Sequence, residues 1–248
     1  MGAFTVRIAP SAPTVQRDSS EPIPGAWSKE YLRTLASTRP RLVTMSVLAM
    51  AGDILASHGS EHRDIQVYMR GCRSPGYFYS YVAREIELCD EMVPFTDSVA
   101  RWGLSLTRDP GPPVATDPST VADRFMTFAV LHEAGHALAH RLQISVLDGK
   151  EDTADSFAAL MLLRSDLEPV VSDAGLWFTY YQGWVATGSS GTAPDSAHAR
   201  RAGQRAAQLR CFIRGHQGRR ESDEDRRCAD VWGLVVKAWE PAMSVHPE

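Results

Sequence analysis

His132-Glu133-Ala134-Gly135-His136, preceded by the apolar run Phe125-Met126-Thr127-Phe128-Ala129-Val130-Leu131, decides how the rest of the chain is read. The run reads as a buried helix. On a helix, residues four apart share a face, so both imidazoles can reach one zinc ion. Glu133 lies beside them on the same turn. There it can hold a metal-bound water and take its proton as that water attacks a carbonyl. The H-E-x-x-H pattern also arises on ordinary amphipathic helices, so its surroundings must carry the assignment.

A catalytic zinc takes three protein ligands and keeps a fourth position for water. A metzincin would need glycine at position 139 and histidine at 142, where Ala139 and Leu142 stand, so that class is excluded. Downstream, Gly149-Lys150-Glu151-Asp152-Thr153-Ala154-Asp155 leads into the apolar run Phe157-Ala158-Ala159-Leu160-Met161-Leu162-Leu163. Glu151 and Asp155 share a face of that second helix. Glu151 is thus the expected third ligand, and Asp155 the acceptor for the outer N–H of a ligand histidine. An acidic first turn favoured by the helix dipole is the plainer alternative. Asp148-Gly149 supplies the turn that sets the two helices antiparallel. His140 extends the histidine series, but each four-residue step drifts by about 40° around the helix. It is expected off the metal-facing line.

These motifs combine with Cys72…Phe78-Tyr79…Ile86-Glu87-Leu88-Cys89-Asp90-Glu91 before them and His198…Gln204-Arg205…Cys211…Cys228 after them. Together, over residues 65–235, they resemble a bacterial family of putative metallopeptidases of uncharacterised function, distantly similar to the thermolysin-like gluzincins. The resemblance implies a zincin-like fold with one Zn2+ per chain, held by His132, His136 and Glu151. Glu133 would be the general base and Asp155 the outer partner of a ligand histidine. His198, which matches the family's C-terminal histidine, would face the oxyanion that develops on the attacked carbonyl.

The chain departs from the family at one segment. Relatives resemble C-G-x-x-N-A-F-Y, whose N-A-F part forms the edge strand that holds substrate backbone. Here Cys72-Arg73-Ser74-Pro75-Gly76-Tyr77-Phe78-Tyr79 stands instead. Gly76 replaces the asparagine amide, Tyr77 replaces alanine, and Phe78 remains. The expected activity is therefore a gluzincin-type zinc hydrolase, a peptidase by preference. The rival readings are a hydrolase for a specialised non-peptide amide, and a non-catalytic zinc-binding protein with a lost substrate strand.

At 248 residues and 44% hydrophobic content the chain can bury one substantial core. Residues 1–25, Pro- and Ser-rich from residue 9, read as a flexible leader, and 26–248 as a single domain. A net charge of −4 gives no nucleic-acid footprint. The basic cluster Arg214–Arg227 is interrupted by Glu221-Ser222-Asp223-Glu224-Asp225 and reads as a solvated loop and helix start. No apolar stretch approaches the ~20 residues of a membrane span. The partner expected is a peptide or small amide substrate.

Four cysteines fall as two local pairs, Cys72/Cys89 and Cys211/Cys228, which favours two disulfides and an oxidising compartment. Met1-Gly2-Ala3-Phe4-Thr5-Val6-Arg7 lacks the plan of a signal peptide. An extracytoplasmic chain whose leader has been removed is favoured over a cytoplasmic one with buried thiols.

Helical spacing marks Trp27–Ser37, Leu42–Ala56, 119–143 (with Ser119 as N-cap), 151–165, 174–187, 197–214 and 224–240. Ile65–Met69 and Glu85–Cys89 alternate with period two, as half-buried strands of a small antiparallel sheet. The aromatic run Trp177-Phe178-Thr179-Tyr180-Tyr181 with Trp184 reads as core, with Tyr180 or Tyr181 as a candidate border of the cleft. The expected class is α+β, mostly α, with the sheet packed on a helical body that carries the H-E-x-x-H helix.

Overall fold

A computed structural model describes residues 6–8, 66–70, 72–89, 91–106, 117–147, 149–187 and 196–243, with backbone alone for 6–8, 66–70, 196–200 and 241. Four strands and six helices succeed one another along these residues. They are β1 (Val6–Ile8), β2 (Gln66–Arg70), β3 (Tyr77–Ser80), β4 (Glu85–Cys89), α1 (Met92–Leu106), α2 (Pro118–Leu142), α3 (Lys150–Arg164), α4 (Glu168–Ala186), α5 (Ser196–His216) and α6 (Asp223–Met243). The fold is α+β and mostly α, as the sequence indicates. The leader beyond Val6–Ile8 and the helices expected over Trp27–Ser37 and Leu42–Ala56 lie outside the described residues.

The sheet has the order β1-β2-β4-β3. β3 and β4 form an antiparallel hairpin in which Tyr77 faces Leu88 and Phe78 faces Glu87. The pairing expected between 65–69 and 85–89 does form, but it is parallel, with Val67 beside Ile86 and Arg70 beside Cys89. The reason is topological. The chain reverses twice between β2 and β4, once before β3 and once at the turn after it, so β4 regains the direction of β2. The Cys72–Cys89 disulfide (Cα–Cα 5.4 Å) ties the two strands at the same end. β1 adds in parallel to β2, which brings Val6–Ile8 into the sheet.

Local chemistry explains the helix boundaries. α2 is capped by Asp117 rather than by Ser119: the Asp117 side chain accepts the Ser119 N–H at 3.2 Å, and Pro118 occupies the first turn. α4 begins at Glu168, six residues before its expected start, because Pro169 sits in the first turn where no N–H is required. α1 was not anticipated. Its buried residues Met92, Thr96, Val99, Ala100 and Gly103 keep helical spacing, but Pro94 and the polar Thr96-Asp97-Ser98 obscure the period. α6 opens with a reciprocal cap, Ser222 N–H to Asp225 and Asp225 N–H to the Ser222 hydroxyl.

The core is organised on α2, which is buried from Thr127 to Leu138 without interruption. Phe125 stacks on Trp177 at 3.7 Å between ring centres, and Trp177 stacks on Tyr181 at 5.1 Å. The Trp177 indole donates to the Thr96 carbonyl. The aromatic run is core, as its spacing suggested. α5 and α6 are joined by the Cys211–Cys228 disulfide. No helix of the described residues is long and apolar enough to cross a membrane.

One glycine is decisive. A Cβ built on Gly135 would lie 2.9 Å from the Ala154 carbonyl oxygen and 3.1 Å from the Phe157 Cβ. Only glycine allows α2 and α3 to approach so closely at the motif. Gly135→Ala is expected to force α3 outward and lower stability by about 1–3 kcal/mol, the usual range for overpacking. Chemical unfolding measures the loss.

Candidate metal centre

α2 presents His132, Glu133 and His136, while the first turn and a half of α3 present Glu151 and Asp155. The helices cross at Gly135, so the side chains flanking that contact converge. His132 Nε2 stands 3.1 Å from His136 Nε2 and 3.2 Å from Glu151 Oε2, and His136 Nε2 stands 3.2 Å from Glu151 Oε1. These residues form a cluster able to hold a metal ion. His132 and His136 are buried, whereas Glu151 keeps partial exposure. Two imidazole nitrogens and a carboxylate are donors that suit a divalent transition metal.

His132 is held from behind. Its Nδ1 lies 2.7 Å from Asp155 Oδ1, which fixes the ring with Nε2 facing the other donors. Asp155 is wholly buried, and Arg205 on α5 closes on it with a two-pronged contact, Nε to Oδ2 at 2.8 Å and Nη2 to Oδ1 at 2.6 Å. The Arg205 guanidinium in turn lies over the Phe178 ring at 4.1 Å. Its role is not visible from motif spacing alone. The legible trace is its place on the apolar stripe Ala202, Ala206, Leu209, Phe212, where a buried cation requires an anion.

The site's electrostatics call for a cation. Glu133, Glu151 and Asp155 face one guanidinium, so with neutral imidazoles the cluster is two negative charges in excess. Burial and Arg205 push the pKa of His132 down, but Asp155 and Glu151 outweigh them and lift it to about 9. Burial pushes Glu151 up, yet His132 and His136 pull its carboxyl far below the usual range. Glu133, 3% exposed, is instead raised, chiefly by burial and against the pull of the two histidines. A raised carboxylate pKa is what a proton acceptor working near neutrality needs.

The hairpin β3–β4 covers one side of the site, and β3 is the edge strand among the described residues. Tyr77, Tyr79 and Tyr81 recur every second residue and meet histidines of α2. Tyr77 packs edge-on to His132 at 6.3 Å, Tyr79 approaches His140 at 6.0 Å, and Tyr81 lies 5.0 Å from His140 and 6.4 Å from His136. Two strand residues span about 6.6 Å. Four helix residues span about 6.0 Å, but the contacts do not run in step, since Tyr79 meets His140 and Tyr81, in the turn after β3, reaches both His136 and His140. The Tyr81 hydroxyl also lies 3.4 Å from His136 Nδ1. His140 stands off the donor cluster as expected, with its Nδ1 3.4 Å from the Tyr79 hydroxyl.

Tyr77 does not crowd the outer side of β3. Its ring turns inward onto His132 and Phe125, and burial raises its hydroxyl pKa. Phe78, on the opposite face, is 46% exposed. Gly76 leads into β3, and a Cβ there would meet only Cys89 Sγ at 3.7 Å. His198 falls in the first turn of α5, where its side chain lies outside the described residues.

Residues 33–234 match the sequence profile of a family described as putative metallopeptidase. Neither a curated protein nor a solved structure matches the chain.

The Asp155–Arg205 pair supplies a test of how the site is held. Asp155→Ala leaves a guanidinium buried without its anion and is expected to cost about 3–5 kcal/mol. The double variant Asp155→Ala/Arg205→Met removes both charges and should recover a large part of that loss. Urea unfolding of the four proteins in chelator, so that metal linkage does not contribute, gives the cycle.

Proposed function

The chain belongs to this putative metallopeptidase family, and on that premise we propose that it is a zinc-dependent hydrolase of gluzincin type, cleaving peptide bonds. The observation that carries the reading is the convergence of His132, His136 and Glu151 from two helices, with Glu133 beside them. Zinc bonds of about 2.0–2.1 Å in a tetrahedral shell set donors about 3.3 Å apart. The donor spacings of 3.1–3.2 Å are close to this.

Bound there, zinc would supply Lewis acidity to a water and to the carbonyl that the water attacks. The remaining work falls to side chains of this chain. Glu133 takes the proton of the attacking water and returns it to the leaving nitrogen. Asp155 holds His132 with Nε2 toward the metal and keeps its Nδ1 protonated. Arg205 holds Asp155. β3, the edge strand among the described residues, offers backbone groups along which an extended peptide can add as a further strand. His198 is proposed as the donor to the developing oxyanion. The two disulfides are consistent with an oxidising environment, and an extracytoplasmic location is proposed on that ground.

Elemental analysis of protein purified without chelator should find about one zinc per chain, with much less in Glu151→Ala. Unchanged occupancy in that variant would remove Glu151 from the ligand set. Glu133→Gln keeps shape and hydrogen bonding but cannot accept a proton, so it should retain zinc and lose turnover by about a hundredfold or more. Near-wild-type rates in that variant would overturn the general-base role. His198→Ala should lower kcat by about 10²-fold with zinc content unchanged, if it donates to the oxyanion.

A further inference from the structure

Beside the metal cluster, on the His136 side, lies an open cavity of about 530 Å³. Its wall includes Tyr81, His136, His140 and Lys150, with Ser145 and Thr153 adding hydroxyl-bearing side chains. Among the described residues no aspartate or glutamate lines it. For a chain of net charge −4 that is a marked local bias. The Lys150 ammonium is held over the Tyr81 ring at 4.7 Å, which places it at the cavity wall. No carboxylate of the described residues forms an ion pair with it.

The two acids that follow Lys150 in sequence, Glu151 and Asp152, are engaged elsewhere. Glu151 reaches His132 and His136. Asp152 lies against Gly149 on the side of the Arg201 guanidinium. The cavity thus carries Lys150 as its cation among the described lining residues, and it shares His136 with the metal cluster. A group seated in it lies next to whatever bond is held at the metal.

We propose that this cavity is a substrate-recognition pocket for a carboxylate, with Lys150 as the cation that receives it. The proposal rests on the hydrolase reading above and adds a substrate class to it. The carboxylate belongs either to an acidic side chain near the scissile bond or to the free C-terminus of a peptide. Basic side chains are disfavoured, because each would bring a second cation against Lys150.

Binding is measured on zinc-loaded Glu133→Gln protein, which holds peptides without cutting them. Three dye-labelled octapeptide pools share the same flanking mixture and are read by fluorescence polarisation. One has Glu at the centre with both ends blocked, one has Gln there with both ends blocked, and one has Gln there with a free C-terminus. At least one carboxylate-bearing pool should bind about tenfold more tightly than the blocked Gln pool, the weight of a charge-assisted hydrogen bond. The pool that does so identifies the source of the carboxylate. Lys150→Gln should remove the preference and Lys150→Glu should reverse it, with circular dichroism and zinc content unchanged. Equal binding of all three pools, no binding of any, or a preference that survives Lys150→Glu would each overturn the pocket. The wild-type protein separates this result from the hydrolase reading. Cleavage without a carboxylate preference sinks the pocket alone, while a preference without cleavage of any pool sinks the hydrolase alone.

Discussion

A fully buried carboxylate, Asp155, is the constraint around which the helical body is arranged. Such a charge is tolerated only when hydrogen bonds and opposite charge surround it. Here His132 from α2 and Arg205 from α5 supply both. Two successive helices and a third, 50 residues further on, are thereby fixed to one point, and the outward face of His132 is fixed with them. The position of the donor nitrogen thus follows from solving a burial problem. Arg205 is stabilised from its other side by Phe178, so α4 enters the same arrangement.

The metal cluster lies where α2 and α3 come closest, and this coincidence has a simple cause. Side chains must be short where backbones touch, and Gly135 with Ala154 meets that need. Three residues before and one residue after that contact on each helix, longer side chains converge on a common point. His132 and His136 flank the glycine on one helix, and Glu151 and Asp155 flank Ala154 on the other. Close packing and ligand convergence are two results of the same contact. Tyr77 of β3 and Tyr81 in the turn after it complete the enclosure, with Lys150 held over the Tyr81 ring.

The sequence by itself determined the local parts: H-E-x-x-H on a buried helix, Glu151 and Asp155 on one face of the next, the aromatic core stripe, and two local cysteine pairs that are bonded in the structure. Each follows from the 3.6-residue helical period or from short loop closure, which any chain segment expresses without its neighbours. The family profile covers the stretch that holds these motifs. Tertiary structure alone decided the rest. β2 and β4 run parallel because a short intervening strand, β3, adds a second reversal that spacing did not reveal. Arg205 reaches Asp155 across 50 residues of sequence. The cavity exists only where the hairpin, the end of α2 and the start of α3 meet. These depend on how elements stack, and stacking is set by the summed burial of many side chains rather than by the pattern of any one segment.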